Sequence, residues 1–474
     1  MSPAIGTLAL CVVFLWLVKQ TQTAYISALS QIPNAHPSTP FSRLWMLWNK
    51  LQGRQNRARF AAHERLGPVV RIGPQELSIN CIDDGVRTIY GSGFDKHVWT
   101  PYMFTMLHGK GHAERKRMFA NVYSKSYIQN SLRLKDISRV IISGRLRNEL
   151  VSWASHGGTV DVLKKSKACL MDLTSAWIFG LEYGTNFLED PKEAEEFFTP
   201  FRGTFGGFFW RSEFHHITRL LQYIGVHLVP KEAAPCREKI QEWCSAKCVA
   251  LLATKMNPMS SASQKITDSA DYPLVYSQLR GGLENSTLPP EKLERTLSME
   301  LLDHMVAGHD ATGITMAYLL YELSQRQSLQ RSLRAELKKH LNPNPETLVH
   351  HIDTCILLDA ILKETLRLYS ANPGPWPRVV PSEIHVGHFS SIPAGTIISA
   401  SSYALHRNSE VFPRPEEWRP ERWLDASDTQ RKEMMRWFWA FGSGSRMCIG
   451  SHLAIHSEFV LVFVLVFVQG VFIL

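Results

Sequence analysis

Between Phe441 and Gly450 the chain reads Phe-Gly-Ser-Gly-Ser-Arg-Met-Cys-Ile-Gly, and this stretch limits the possible folds more than any other. Three glycines, Gly442, Gly444 and Gly450, let a backbone turn tightly and approach something bulky. Arg446 offers a planar fork of donors suited to a carboxylate, and Phe441 offers a flat apolar face. Cys448 stands where such a loop runs into a helix starting near Ser451, a setting whose N–H donors favour a thiolate. A cysteine in a glycine-rich loop is more often structural than reactive, so the spacing around it has to decide.

Composition narrows the setting. With 474 residues, 45% apolar and 20% charged, the chain is long enough to bury a large core and a cofactor, and it is not wholesale disordered. A net charge of +9 suits an anionic membrane surface or an acidic partner. No run of Lys and Arg interleaved with aromatics points to nucleic acid. The eight cysteines are scattered without a Cys-x-x-Cys, which argues against a disulfide framework and a zinc site, and for a reducing compartment.

Four regions follow along the chain. The first eighteen residues carry no Lys or Arg, and Ile5–Val18 is an unbroken apolar run ended by Lys19, which predicts a membrane anchor over residues 1–22. A cleaved signal peptide and a buried helix are the rival readings. Residues 23–40 hold Pro33, Pro37 and Pro40, a stiff connector that cannot continue a helix. Residues 41–456 alternate helical with short strand patterns, helices in the majority. Val69–Ile72 and Glu76–Ile79 read as strands around Gly73-Pro74. Eight aromatics between Phe197 and Phe214, broken by Gly203, Gly206 and Gly207, read either as core or as an apolar lid over a lipophilic substrate.

Glu291–Arg331 is helical in pattern, and its middle is apolar on nearly every face except at Asp310 and Thr312. Gly308 and Gly313 each cost such a helix about 1 kcal/mol relative to Ala, so something large is expected flat against the backbone at Ala307-Gly308. Asp310 there is expensive unless paired or used for proton transfer. On the next helical segment, Leu357–Tyr369, Glu364 and Arg367 share a face at i, i+3.

Taken together, Phe441, Gly444, Arg446, Cys448 and Gly450 resemble the haem-binding signature of the cytochrome P-450 family, in which the cysteine is the axial thiolate of haem iron. Ala307-Gly308-His309-Asp310-Ala311-Thr312 is similar to that family's oxygen-activation motif, except that Ala311 replaces the alcohol that orients bound oxygen. Glu364-x-x-Arg367 resembles its invariant pair, with Arg422 as third member of a brace. The resemblance nominates Arg446, Arg378, His112 and Lys116 as partners of the haem propionates. It implies a mainly α fold with small β-sheets, haem b held by Cys448, and electrons from NADPH through NADPH-cytochrome P-450 reductase. The implied reaction inserts one oxygen atom of O2 into a lipophilic small molecule, with Gly308, Asp310, Ala311 and Thr312 in the catalytic segment. The phrasing around Phe412–Trp423 is most similar to fungal members of secondary metabolism. The implied location is the endoplasmic reticulum membrane, single-pass, with the catalytic domain cytosolic.

Two alternatives accompany that reading. One is a peroxide-driven, coupling or rearranging haem-thiolate enzyme that needs no relayed protons. The other is a haem- or ligand-binding form without turnover. Finally, residues 457–474 include Phe-Val-Leu-Val-Phe-Val-Leu-Val-Phe-Val over Phe459–Val468. That repeat departs from the family's phrasing after His456 and is expected to mark a truncated or aberrant C-terminus that covers the Cys448 loop poorly.

Overall fold

The structure, a computed structural model, describes residues 11, 14, 15, 18, 21–97, 108–156, 159–253, 269–340 and 354–467. The elements that position the site are, in chain order, α1 (Leu44–Leu51), β1 (Val69–Gly73), β2 (Glu76–Ile79), α2 (Gly109–Arg117), α3 (Val162–Phe179), α4 (Pro191–Gly203), α5 (His215–Tyr223), α6 (Ala233–Ala253), α7 (Pro290–Ser324), α8 (Ile356–Leu368), β3 (Trp376–Val379), β4 (Ile384–Val386), β5 (Phe389–Ile392), β6 (Ile397–Ala400) and α9 (Ser451–Phe467). Helices dominate and the sheets are small, as the sequence pattern implies.

The axis of the molecule is α7. Pro290 opens its first turn beside Glu291, where neither a missing N–H nor a negative charge is a liability. At 35 residues it is about 52 Å long, enough to cross the whole domain. The helical pattern expected to continue to Arg331 breaks after Ser324, and a second helix starts at Gln327. The glycines of α7 answer a different demand from the one expected. A Cβ at Gly308 would lie 2.6 Å from Thr174 Oγ1, and one at Gly313 would lie 2.7 Å from Lys167 Cγ. Both neighbours belong to α3, so the glycines let two helices touch along their backbones. Cys169, Leu173, Trp177, Met305 and Met316 fill that contact as part of the main core.

One four-stranded sheet has the order β1-β2-β6-β3. β2 pairs with β6 in parallel, Leu77 opposite Ile398, and β3 pairs with β6 antiparallel, Arg378 opposite Ile398. This register brings Arg378 to the flank of the Cys448 loop. The β4–β5 hairpin stands apart.

The proline-dense connector is docked. Pro33 O accepts from Arg71 N at 2.8 Å and Ala35 N donates to Arg71 O at 2.9 Å. The buried Arg71 guanidinium also donates to Thr23 O and Pro74 O, at 3.1 and 2.6 Å. The expected anchor Ile5–Val18 lies mostly outside the described residues. Among the described residues no helix is long and apolar enough to cross a membrane. At the other end, Ser451 starts α9, which carries the apolar repeat as helix through Phe467. Phe459, Val460, Leu461 and Val462 are buried in the main core, so this part of the repeat is covered.

Candidate active site

The Cys448 loop is held from three directions. Gly444 has φ +67°, and a Cβ there would lie 2.1 Å from Tyr90 O, so no side chain fits. Cys448 N donates to Phe441 O at 2.9 Å and Gly442 N to Trp439 O at 3.1 Å, which closes the loop on itself. From α2, Lys116 Nζ donates to Met447 O at 2.9 Å and Ser445 O at 3.2 Å. Lys116, nominated as a propionate partner, clamps the loop carbonyls here. Burial raises the Cys448 thiol pKa, while the Gly450 N–H and the Lys116 charge oppose that rise. Cys448 as a residue is exposed at the loop surface, while the protein around its thiol is dense enough to raise the pKa.

A cluster of cations gathers beside the loop. Arg378 is buried, with its guanidinium 4.8 Å from the Tyr90 ring centroid. Burial pushes the Lys96 ammonium down to about 7; Arg446 and Arg378 press the same way and Asp303 opposes them. His112 is pushed to about 3 by burial and then by Arg446, Lys96, Lys116 and Arg378. Its buried Nδ1 has no hydrogen-bond partner. Like charges crowded around an unspent donor are what a doubly carboxylated ligand completes, so these residues fit the propionate edge of a haem. Lys96 and Tyr90 were not among the residues singled out from the sequence.

The brace is assembled around Glu364, fully buried. Its Oε1 accepts from Arg367 Nη2 at 2.8 Å, Arg422 Nε at 2.9 Å and Arg419 N at 2.9 Å. Its Oε2 accepts from Arg367 Nε at 2.9 Å and Trp423 Nε1 at 3.0 Å. Burial alone would raise this carboxyl's pKa, yet the bonds and charges of Arg367 and Arg422 hold it below the ordinary value. Arg367 Nη1 reaches on to His406 O at 2.9 Å and Pro415 O at 2.7 Å. The expected triad is present, and Trp423 and Arg419 enlarge it.

Along the middle of α7, Asp303, Ala307, Asp310, Ala311, Ile314 and Tyr318 are among the residues that are not buried, and they share one stripe. That spacing is one helix face, and it puts Ala307 and Ala311 together on the open side. Thr312 and His309 are buried on other faces. His309 sits among Phe197, Phe198 and Phe201, with ring centroids 5.2 to 5.8 Å away. These three aromatics are therefore core, whereas Phe205 and Phe208 are exposed. Asp310 is paired: Lys167 Nζ lies 2.6 Å from its Oδ1. The lysine stem that Gly313 accommodates thus ends on the acidic group of the motif.

The comparisons with known proteins agree with this geometry. The cytochrome P-450 family model matches residues 37–466. The chain is 27% identical over 421 residues to cytochrome P-450 monooxygenase avaI of Aspergillus versicolor, covering 84% of this chain and 94% of the relative. It is 26% identical over 467 residues to cytochrome P-450 monooxygenase ankB of Aspergillus thermomutatus, covering 95% and 84%. With cytochrome P-450 monooxygenase BOT1 of Botryotinia fuckeliana it shares 26% over 467 residues, 91% of this chain and 82% of the relative. A thiolate loop, a cation cluster fitted to two carboxylates and a family match over most of its length have one reading: the chain belongs to the cytochrome P-450 family of haem monooxygenases.

Proposed function

We propose that this protein is an NADPH-dependent monooxygenase of fungal secondary metabolism, acting on a lipophilic small molecule at a membrane surface. The observation that carries the reading is Cys448 in a clamped loop beside the cluster of Arg378, Arg446, Lys96 and His112. Cys448 is the iron ligand, and Arg446, Arg378, His112 and Lys96 receive the propionates. When bound, the haem supplies the oxygen-activating chemistry, with electron donation from the thiolate favouring O–O cleavage.

The chain's own residues do the rest. Phe441 packs beside the ligand loop. Ala307, Ala311 and Ile314 put a small apolar patch on the open face of α7 beside Asp303 and Asp310, suiting a lipophilic substrate. Asp310, tied to Lys167, moves protons inward through water, with Thr312 as the nearest alcohol in sequence. On α2, exposed Lys110 and Arg117 flank Lys116, a basic face for an acidic flavoprotein reductase.

The run Ile5–Val18 anchors the chain in the endoplasmic reticulum membrane, with the catalytic domain cytosolic. Two exposed apolar stripes supply a second membrane contact: Leu44, Trp48 and Leu51 on α1, and Ile217, Leu220, Tyr223 and Ile224 on and just after α5. Glu213 ties them together through ion pairs with Arg43 and Lys50.

The test is reconstitution with a reductase, NADPH and isotopically labelled oxygen against lipophilic substrates. NADPH consumption with label in product supports the proposal. Product formed from peroxide without NADPH would favour the peroxide-driven alternative, for which the missing alcohol at Ala311 is the specific support. A haem spectrum with no turnover under either condition would favour a binding protein.

A further inference from the structure

We propose that His406 is a positioning residue for Cys448: its imidazole couples the Glu364–Arg367–Arg422 brace to Trp439, two residues before the thiolate loop. This rests on the reading of Cys448 as iron ligand. His406 is fully buried between α8 and the loop. Trp439 N–H donates to its Nε2 at 2.7 Å. Because Nε2 accepts, the ring proton is on Nδ1, which donates to Arg367 O at 2.8 Å. In return Arg367 Nη1 donates to His406 O at 2.9 Å. The ring lies parallel to Phe438, with centroids 5.5 Å apart and planes at 14°.

A short ladder leads onward from that contact. Trp439 O accepts from Gly442 N at 3.1 Å, and Phe441 O accepts from Cys448 N at 2.9 Å. His406 therefore fixes the entry of the loop whose last bond is made by the ligand's own amide. Both ring nitrogens are engaged, so rotation or protonation of the ring breaks the link to Trp439. Burial keeps the imidazole neutral, with its pKa lowered to about 3. An outer partner that orients a metal ligand in this way commonly matters as much as the ligand's own environment.

Three measurements test the inference. His406→Phe keeps a ring against Phe438 and deletes both hydrogen bonds. It is expected to lose at least about half of the thiolate-type carbon monoxide difference band at equal haem content. Arg407→Met is the control. It removes bonds to Leu368 O and Glu416 from the same segment, at 3.2 and 2.8 Å, without touching Trp439. It is expected to lower the melting temperature while keeping the full band. An intact band in His406→Phe, or equal loss in both variants, overturns the coupling. The third measurement needs no variant. Hydrogen exchange in the wild-type chain is expected to show the Trp439 amide protected like the amides of α8, and rapid exchange there overturns it as well. Loss of the band in Cys448→Ser is the separate check on the ligand assignment.

Discussion

Cys448 has few supports of its own: an N–H from Gly450 and the charge of Lys116 work against the desolvation of its sulfur. On the proposed reading, ligation to haem iron would make up the difference, since a thiolate bound to a cation need not be solvated by water. Cys448→Ser is therefore expected to abolish the thiolate-type carbon monoxide spectrum, while Cys244→Ser leaves it intact, because Cys244 is buried on α6 with its Sγ against Ser298 O. A second prediction concerns proton supply. On the proposed function, with no hydroxyl at Ala311, delivery would depend on Asp310 and on the lysine that holds it. Lys167→Met is expected to release at least about twofold more peroxide per NADPH, Lys167→Arg less, and Ala311→Thr less than wild type. Unchanged peroxide yields in all three would remove Asp310 from the proton path. The sequence exposed those residues whose partners are close in the chain: Glu364 with Arg367, three apart, and the ten residues around Cys448. It hid Lys167, 143 positions from Asp310, and the Tyr90 hydroxyl, 310 positions from Ala400. Those contacts arise only when α3 packs on α7 and β6 inserts between β2 and β3. Arg422, 58 positions from Glu364, was found by motif and not by spacing.

Among the elements, α8 and α9 respond to charge in opposite ways. On α8, Glu364 spends both oxygens on five donors, so removing its charge strands two arginines. Glu364→Gln is expected to cost roughly 3–5 kcal/mol, read from chemical denaturation, with the loss of haem as a second readout. On α9, Glu458 is buried at 2% exposure with Oε2 unpartnered, and His456 is buried with neither ring nitrogen paired. Burial raises the Glu458 pKa well above its ordinary 4.5. The folded chain then holds a proton that the unfolded chain releases above that value, so this group's contribution is intact at acid pH and is lost as pH rises. Glu458→Gln is accordingly expected to leave stability at pH 4 unchanged and to raise it at pH 7 to 8 by about 1–3 kcal/mol. Thermal melts across that range check it, and a gain at pH 4 of equal size would show that Glu458 is not held protonated. The apolar repeat reads in the sequence as a mark of a truncated or aberrant end, whereas the structure carries it as helix, with Phe459–Val462 buried. It did not foretell two unsatisfied polar groups beside it, because satisfaction depends on which elements surround the helix.

At the scale of the molecule, the proposed membrane contact turns on where the exposed apolar residues lie. Phe197, Phe198 and Phe201 are buried, whereas α1 and the region around α5 carry two groups of the chain's exposed large apolar residues. Leu44 and Trp48 are 68% and 63% exposed; Leu220 and Tyr223 are 65% and 90% exposed. The ion pairs of Glu213 with Arg43 and Lys50 hold the two groups side by side, and apolar residues gathered in one place are where a membrane contact is sought. Full burial of each side chain would contribute about 1.5–3 kcal/mol, and shallow insertion a fraction of that. The chain lacking residues 1–19 is therefore expected still to bind phosphatidylcholine vesicles containing phosphatidylserine. Replacing Leu44, Trp48, Leu220 and Tyr223 with Ser in that form is expected to weaken the partition by at least about a hundredfold, since even 0.7 kcal/mol per residue adds to that factor. Flotation on a density gradient reads both outcomes. If the shortened chain fails to float, the apolar run Ile5–Val18 alone carries the attachment. If it floats equally well with and without the four replacements, the membrane contact lies on another face, and the basic surface near α2 becomes the first place to look.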